Sequence, residues 1–123
     1  MDSMENPETG KSASPGTTPG VFRSTAGANG ERVAMRFKEY GLWHDISWNE
    51  YYRAAECIGA ALIAMGLEKG QCVAIIGDNS PEWVIIDMGV QMAGGISVGI
   101  YTTNAWQEVE YVVTHSESVF LFA

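Results

Sequence analysis

The sequence has 123 residues and an apolar fraction of 46%, which allows one small domain with a core and no more. Seven Lys plus Arg against fifteen Asp plus Glu give a formal charge of −8. That balance excludes a nucleic-acid backbone binder, whose affinity would come from clustered Lys and Arg.

Residues 1–30 hold Pro7, Pro15 and Pro19 among many Ser, Thr and Gly, and bury too little apolar surface to offset the entropy of ordering. They are expected to form a disordered N-terminal tail. Val21-Phe22 is one short apolar step that could dock on the domain. The opening Met-Asp-Ser-Met-Glu-Asn-Pro-Glu puts acid where a secretory leader carries positive charge, and the apolar runs fall well short of the roughly 20 residues that span a bilayer. A cytoplasmic chain follows, without a transmembrane segment and touching membranes at most peripherally.

From Arg32 the period becomes two: Val33, Met35 and Phe37 on one face, Ala34, Arg36 and Lys38 on the other. Glu39-Tyr40-Gly41 turns this strand, and Leu42 to Ser47 returns as a hairpin. Ser47-Trp48-Asn49-Glu50 has the spacing of a capping box and predicts a helix. Tyr51, Ala55, Ile58, Leu62 and Met65 form its inward stripe, and Gly66 is its left-handed stop. Gly59-Ala60-Ala61 makes one face small, suited to lying close against a sheet.

Val73 to Ile76 is continuously apolar, the mark of a strand covered on both faces in a parallel sheet. Gly77-Asp78-Asn79 turns at its carboxyl end, Ser80 caps the next helix and Pro81 occupies its first position. That helix runs to about Ala93 and ends at Gly94-Gly95. Ile96 to Ile100 is the next strand, and Thr103 or Asn104 is positioned to cap a helix from Ala105 to about His115, with Val109, Val112 and Val113 inward. A last strand covers Val119 to Ala123. Because the sequence stops on that apolar strand, it reads as truncated. The fold class is α/β, a partial doubly wound parallel sheet preceded by a β-hairpin.

In such sheets ligands bind beyond the carboxyl ends of the strands, here Gly77 to Ser80 and Tyr101 to Asn104, and both loops lead into helix N-termini able to hold an anion. Capping alone also explains Ser80, Thr103 and Asn104. Neither a Gly-x-Gly-x-x-Gly run nor a Gly-x-x-x-x-Gly-Lys loop is present, so the sequence carries no recognisable nucleotide loop. Cys57 and Cys72 are expected to be buried free thiols of a reducing compartment. His44 and His115 lack metal-like spacing to them and read as ordinary surface or helix-end residues. Asp87 reads as part of a solvated stripe. Asp78 and Glu82 could be paired as acid and base but have no nucleophile or orienting partner nearby.

Four stretches carry more: Ile46 to Tyr52, Ala64 to Gly70, Val73-Ala74-Ile75-Ile76-Gly77-Asp78-Asn79-Ser80-Pro81-Glu82-Trp83, and Ala93 to Asn104. In order and spacing they resemble the N-terminal part of AMP-forming acyl-CoA synthetases. Gly99-Ile100-Tyr101-Thr102-Thr103 points to the long-chain and bubblegum-type fatty-acid members. The resemblance covers 31–123 and implies a truncated N-terminal portion of the AMP-binding domain. For the full-length family it implies joining of a fatty acid to ATP as an acyl-adenylate, then thioester formation with CoA, with Mg2+. The nucleotide loop and the catalytic lysine of that family lie in motifs absent here. The resemblance therefore transfers no catalytic, cofactor-binding or metal-binding residue, and whether the chain alone is an enzyme stays open. Fatty acid, ATP, CoA and the remainder of the synthetase are the implied partners. The alternatives are a non-catalytic interaction module on the same scaffold, pairing with a longer synthetase, and an unrelated doubly wound domain of the flavodoxin type.

Overall fold

The computed structural model describes residues 16–123. In chain order these form α1 (Thr18–Asn29), β1 (Val33–Glu39), β2 (Leu42–Ser47), α2 (Trp48–Ala64), β3 (Cys72–Ile76), α3 (Pro81–Met92), β4 (Ile96–Ile100), α4 (Trp106–Ser116) and β5 (Phe120–Phe122). β1 and β2 make an antiparallel hairpin, while the other three strands make a parallel sheet in the order β4-β3-β5. The α/β class and the hairpin before the parallel sheet are as the sequence implies.

The expected tail is corrected over its second half, because residues 18–29 are helical. The Thr17 hydroxyl accepts the Gly20 N–H at 3.2 Å, and Pro19 sits in the first turn, where its missing amide costs nothing. Phe22 anchors the helix. It is 5% exposed, with its ring centroid 4.5 Å from that of Tyr51 and 5.3 Å from that of Tyr52. One well-buried aromatic outweighs a composition that otherwise favours disorder. The rest of the expected tail, residues 1–15, lies outside the described residues.

The hairpin turns through Tyr40-Gly41, both with positive φ (51° and 80°), between the paired residues Glu39 and Leu42. A register shift between Val33 and Met35 changes the expected faces: Val33 is exposed, and Ala34 joins Met35 against the core. The capping box forms as predicted. Ser47 Oγ accepts the Glu50 N–H at 3.1 Å, and Glu50 Oε1 accepts the Ser47 N–H at 2.8 Å.

α2 buries Tyr51, Ala55, Gly59 and Leu62, but Met65 lies past the last helical residue and is exposed. Gly66 then takes the expected left-handed conformation, with φ of 105°. The small face of α2 meets another helix rather than a sheet. A Cβ on Gly59 would fall 2.9 Å from the Gly89 carbonyl oxygen of α3.

One core cluster joins Leu62, Leu67, Val73, Ile75 and Val90; a second joins Phe22, Tyr51 and Ala55. β3 is the central strand, and its Val73, Ala74 and Ile75 are at most 1% exposed, as continuous apolarity implies. The crossovers from β3 to β4 and from β4 to β5 run in opposite directions across the sheet. Right-handed connections then place α3 and α4 on opposite faces. Phe120 and Phe122 pack on the first cluster, whereas α4 buries no residue and Leu121 is 49% exposed.

Candidate functional site

The two loops singled out in the sequence come together. Beyond the carboxyl ends of β3 and β4, Gly77, Asp78, Asn79, Tyr101, Thr102 and Thr103 line an open cleft of about 400 Å³ with Trp83, Gly99 and Ile100. Parallel register sets this geometry, because Ile76 pairs with Ile100 and both strands release their loops at the same level. The loops are latched by the Thr102 hydroxyl, which donates to Asp78 Oδ1 at 3.3 Å.

Trp83 forms the wall between the strand ends. Ser80 Oγ accepts the Trp83 N–H at 3.3 Å, which fixes the start of α3 with Pro81 in its first turn. The indole then leans over both strand ends: a Cβ on Gly99 would stand 3.3 Å from Trp83 Cζ2, and one on Gly77 3.5 Å from Cδ1. Trp83 and Gly99 stand in the family-like stretches of the sequence, but neither was assigned a place in the cleft. The signal was a glycine at the end of each strand, one shortly before the tryptophan.

Capping accounts for Ser80 but not for Thr103 or Asn104. The N-cap of α4 is Ala105, in extended conformation and without a side-chain hydrogen bond, while the Asn104 N–H donates to the Tyr101 carbonyl at 3.2 Å. The turn at Tyr101 takes up the residues before the helix and moves its start by one position.

The remaining candidates are dispersed. Glu82 is exposed in the first turn of α3. Asp87 is half-buried farther along that helix and accepts from Gln91 Nε2 at 3.2 Å. Burial pushes the Tyr51 phenol above its ordinary value, and the Asp87 charge acts in the same direction. His44 stacks on Phe37 and His115 on Tyr111. Both thiols are free, but Cys57 is exposed and Cys72 half-buried, which corrects the expectation that both are buried. Among the described residues no group of three His, Cys, Asp or Glu is placed to hold a metal ion.

The resemblance implies a nucleotide ligand for the whole family, and the lining of this cleft is poorly suited to one. It offers one carboxylate, an amide and hydroxyls, and no Lys or Arg occurs anywhere from Gln71 to Ala123. These residues do not by themselves fit a triphosphate, which needs cations or a cradle of backbone amides.

A family model described as AMP-binding enzyme matches residues 22–123. The long-chain-fatty-acid–CoA ligase ACSBG2 of Homo sapiens is 39% identical over 103 residues, 84% of this chain and 16% of that protein. ACSBG2 of Xenopus laevis is 38% identical over 104 residues, 85% of this chain and 14% of that protein. ACSBG1 of Bos taurus is 38% identical over 101 residues, with coverages of 82% and 14%. The chain thus spans only 14–16% of the length of these relatives.

Among solved structures, the fatty acid AMP ligase from Legionella pneumophila superposes with a TM-score of 0.78 at 23% identity, over 84% of this chain and 18% of that one. The Klebsiella oxytoca NpsA N-terminal subdomain, in complex with anthranilyl-AMSN, gives 0.76 at 24% identity, over 85% and 26%. Those likenesses establish the fold, the curated relatives agree with the bubblegum-type resemblance, and by the match from Phe22 to Ala123 the chain belongs to the AMP-binding enzyme family.

Proposed function

We propose that this chain supplies supporting scaffold to the adenylate-forming domain of a long-chain-fatty-acid–CoA ligase. The whole enzyme would activate a fatty acid with ATP to an acyl-adenylate, release pyrophosphate, and pass the acyl group to CoA. The observation that carries this reading is 36–39% identity to curated relatives that bear the ligase name, along most of this chain. The relatives' names favour the ligase over a non-catalytic interaction module.

The role of the described residues is structural in this account. β3 and β4 fix two loops at one level, Trp83 and the Asp78–Thr102 latch hold them, and the cleft borders chemistry performed by residues elsewhere in the enzyme. ATP, Mg2+ and CoA are held by other parts of the protein. A cytoplasmic location belongs to the same proposal; free Cys57 and Cys72 suit a reducing compartment, and among the described residues no helix is long and apolar enough to cross a membrane.

Fatty-acid-dependent ATP–pyrophosphate exchange tests the division of labour. The purified 123-residue chain is expected to give none above background. Exchange by this chain alone would overturn the scaffold role.

A further inference from the structure

We propose that Asn29-Gly30, where α1 hands over to the hairpin, is a site of spontaneous deamidation that the helix holds closed, so that opening of α1 becomes a permanent chemical change, whichever reaction the whole protein performs. Asn-Gly occurs once in the sequence. In such a pair the Gly amide nitrogen can attack the Asn side-chain carbonyl carbon, because glycine has no Cβ to hinder the approach. The new bond from the Gly30 nitrogen to Asn29 Cγ closes a succinimide ring, while the Cγ–Nδ2 bond breaks and ammonia leaves with the proton lost from Gly30. Water then opens the ring at either carbonyl, giving an aspartate at position 29 or its β-linked isomer. Water enters and ammonia departs, with no redox step.

The folded helix blocks the attack at both ends. The Gly30 N–H donates to the Ala26 carbonyl at 2.9 Å, closing the last turn, and Asn29 Nδ2 donates to the Thr25 carbonyl at 2.8 Å. Nucleophile and leaving group are thus both tied to the turn behind them. The lock is weak, however, because α1 has only 12 residues, with Gly20 and Gly27 among them, and helices of that length are marginal without tertiary packing. Its buried residues are Gly20, Phe22 and Ala26. No residue of the helix beyond Ala26 is anchored by burial, so the turn that carries Asn29 opens whenever the Phe22 anchor lets go.

Modification outlasts the opening that permits it. A carboxylate at position 29 cannot donate to the Thr25 carbonyl, and it places negative charge at the C-terminal end of the helix dipole. In the β-linked product the Asn29 carbonyl, which accepts the Arg32 N–H at 2.8 Å, leaves the main chain as a free carboxylate. The added backbone carbon also displaces the Gly30 carbonyl from the Asn49 N–H, which donates to it at 2.9 Å. Those bonds join the end of α1 to the hairpin and to the start of α2, so a modified chain keeps α1 loosened.

The purified full chain is incubated at mildly alkaline pH in heavy-oxygen water, and peptide mapping follows oxygen incorporation at position 29 beside a synthetic peptide of residues 25–34. The wild type is expected to react at least about tenfold more slowly than the peptide, because the rate follows the open fraction of the helix. Phe22→Ala should bring the rate toward that of the peptide, and Phe22→Leu, a milder change, gives the same reading if Phe22→Ala unfolds the whole domain. Asn79-Ser80, in the loop after β3, is the internal control and should keep its wild-type rate, while Asn29→Gln should not react. A slow wild type with acceleration confined to position 29 supports the gate. A wild type as fast as the peptide, no acceleration in either Phe22 variant, or equal acceleration at Asn79 in both overturns it.

Discussion

Gly89 of α3 lies so close to Ile58 of α2 that a Cβ on the glycine would stand 2.7 Å from the isoleucine Cβ and Cγ2. The Ala55 carbonyl oxygen would be 2.9 Å away. Gly89→Ala gains about 1 kcal/mol of helix propensity, but overpacking a rigid contact costs roughly 1–3 kcal/mol and should prevail. Gly27→Ala, in α1 with nothing within 4 Å, should instead stabilise by about 0.5–1 kcal/mol. Urea midpoints of the two variants should move in opposite directions, and equal stabilisation would contradict the close helix crossing.

Phe22 decides whether α1 belongs to the domain. Phe22→Ala removes a buried ring from Tyr51 and Tyr52 and should cost about 3 kcal/mol. In native-state hydrogen exchange, amides from Val21 to Ala28 should lose protection in the variant while β3 keeps most of its own. Unprotected α1 amides in the wild type would return the segment to the disorder expected from composition.

What could be read from the sequence was what is decided locally. The Ser47–Glu50 box, the stop at Gly66 and the Ser80-Pro81 start depend on adjacent residues, and continuous apolarity alone marks β3 as covered on both faces. What escaped depends on distant partners. Phe22 orders α1 only because Tyr51 lies opposite, and the small face of α2 declares a close approach without saying whether a helix or a sheet provides it. The loops of the cleft were legible from strand ends; Trp83 became its wall only once β3 and β4 were paired.

Tyr51 gives a pH dependence with a defined sign. Its folded-state phenol lies above the ordinary value of 10.0, first through burial and then through Asp87. The neutral form is therefore favoured in the folded state. The stability it contributes is complete below pH 10.0 and is lost as pH rises toward the folded-state pKa. Tyr51→Phe should flatten the alkaline fall in melting temperature, and an unchanged fall would assign it to other groups.

The cleft should prove more important for shape than for its polar groups. Trp83→Ala removes the indole packed against Gly77 and Gly99 and should cost about 3 kcal/mol. Thr102→Val breaks an exposed hydrogen bond of 3.3 Å and should stay within about 0.5 kcal/mol. Calorimetric melts showing the reverse order would mean that the Asp78–Thr102 latch, not the tryptophan, holds the strand ends.

The central claim, that these residues are scaffold of a fatty-acid-activating enzyme, is tested most directly by a graft. Residues 22–123 replace the matching segment of the human ligase relative, and long-chain acyl-CoA formation is measured on the soluble chimera. The account predicts activity within about tenfold of the parent, a loss of no more than about 1.4 kcal/mol in transition-state stabilisation. A folded chimera with no acyl-CoA formation would contradict it.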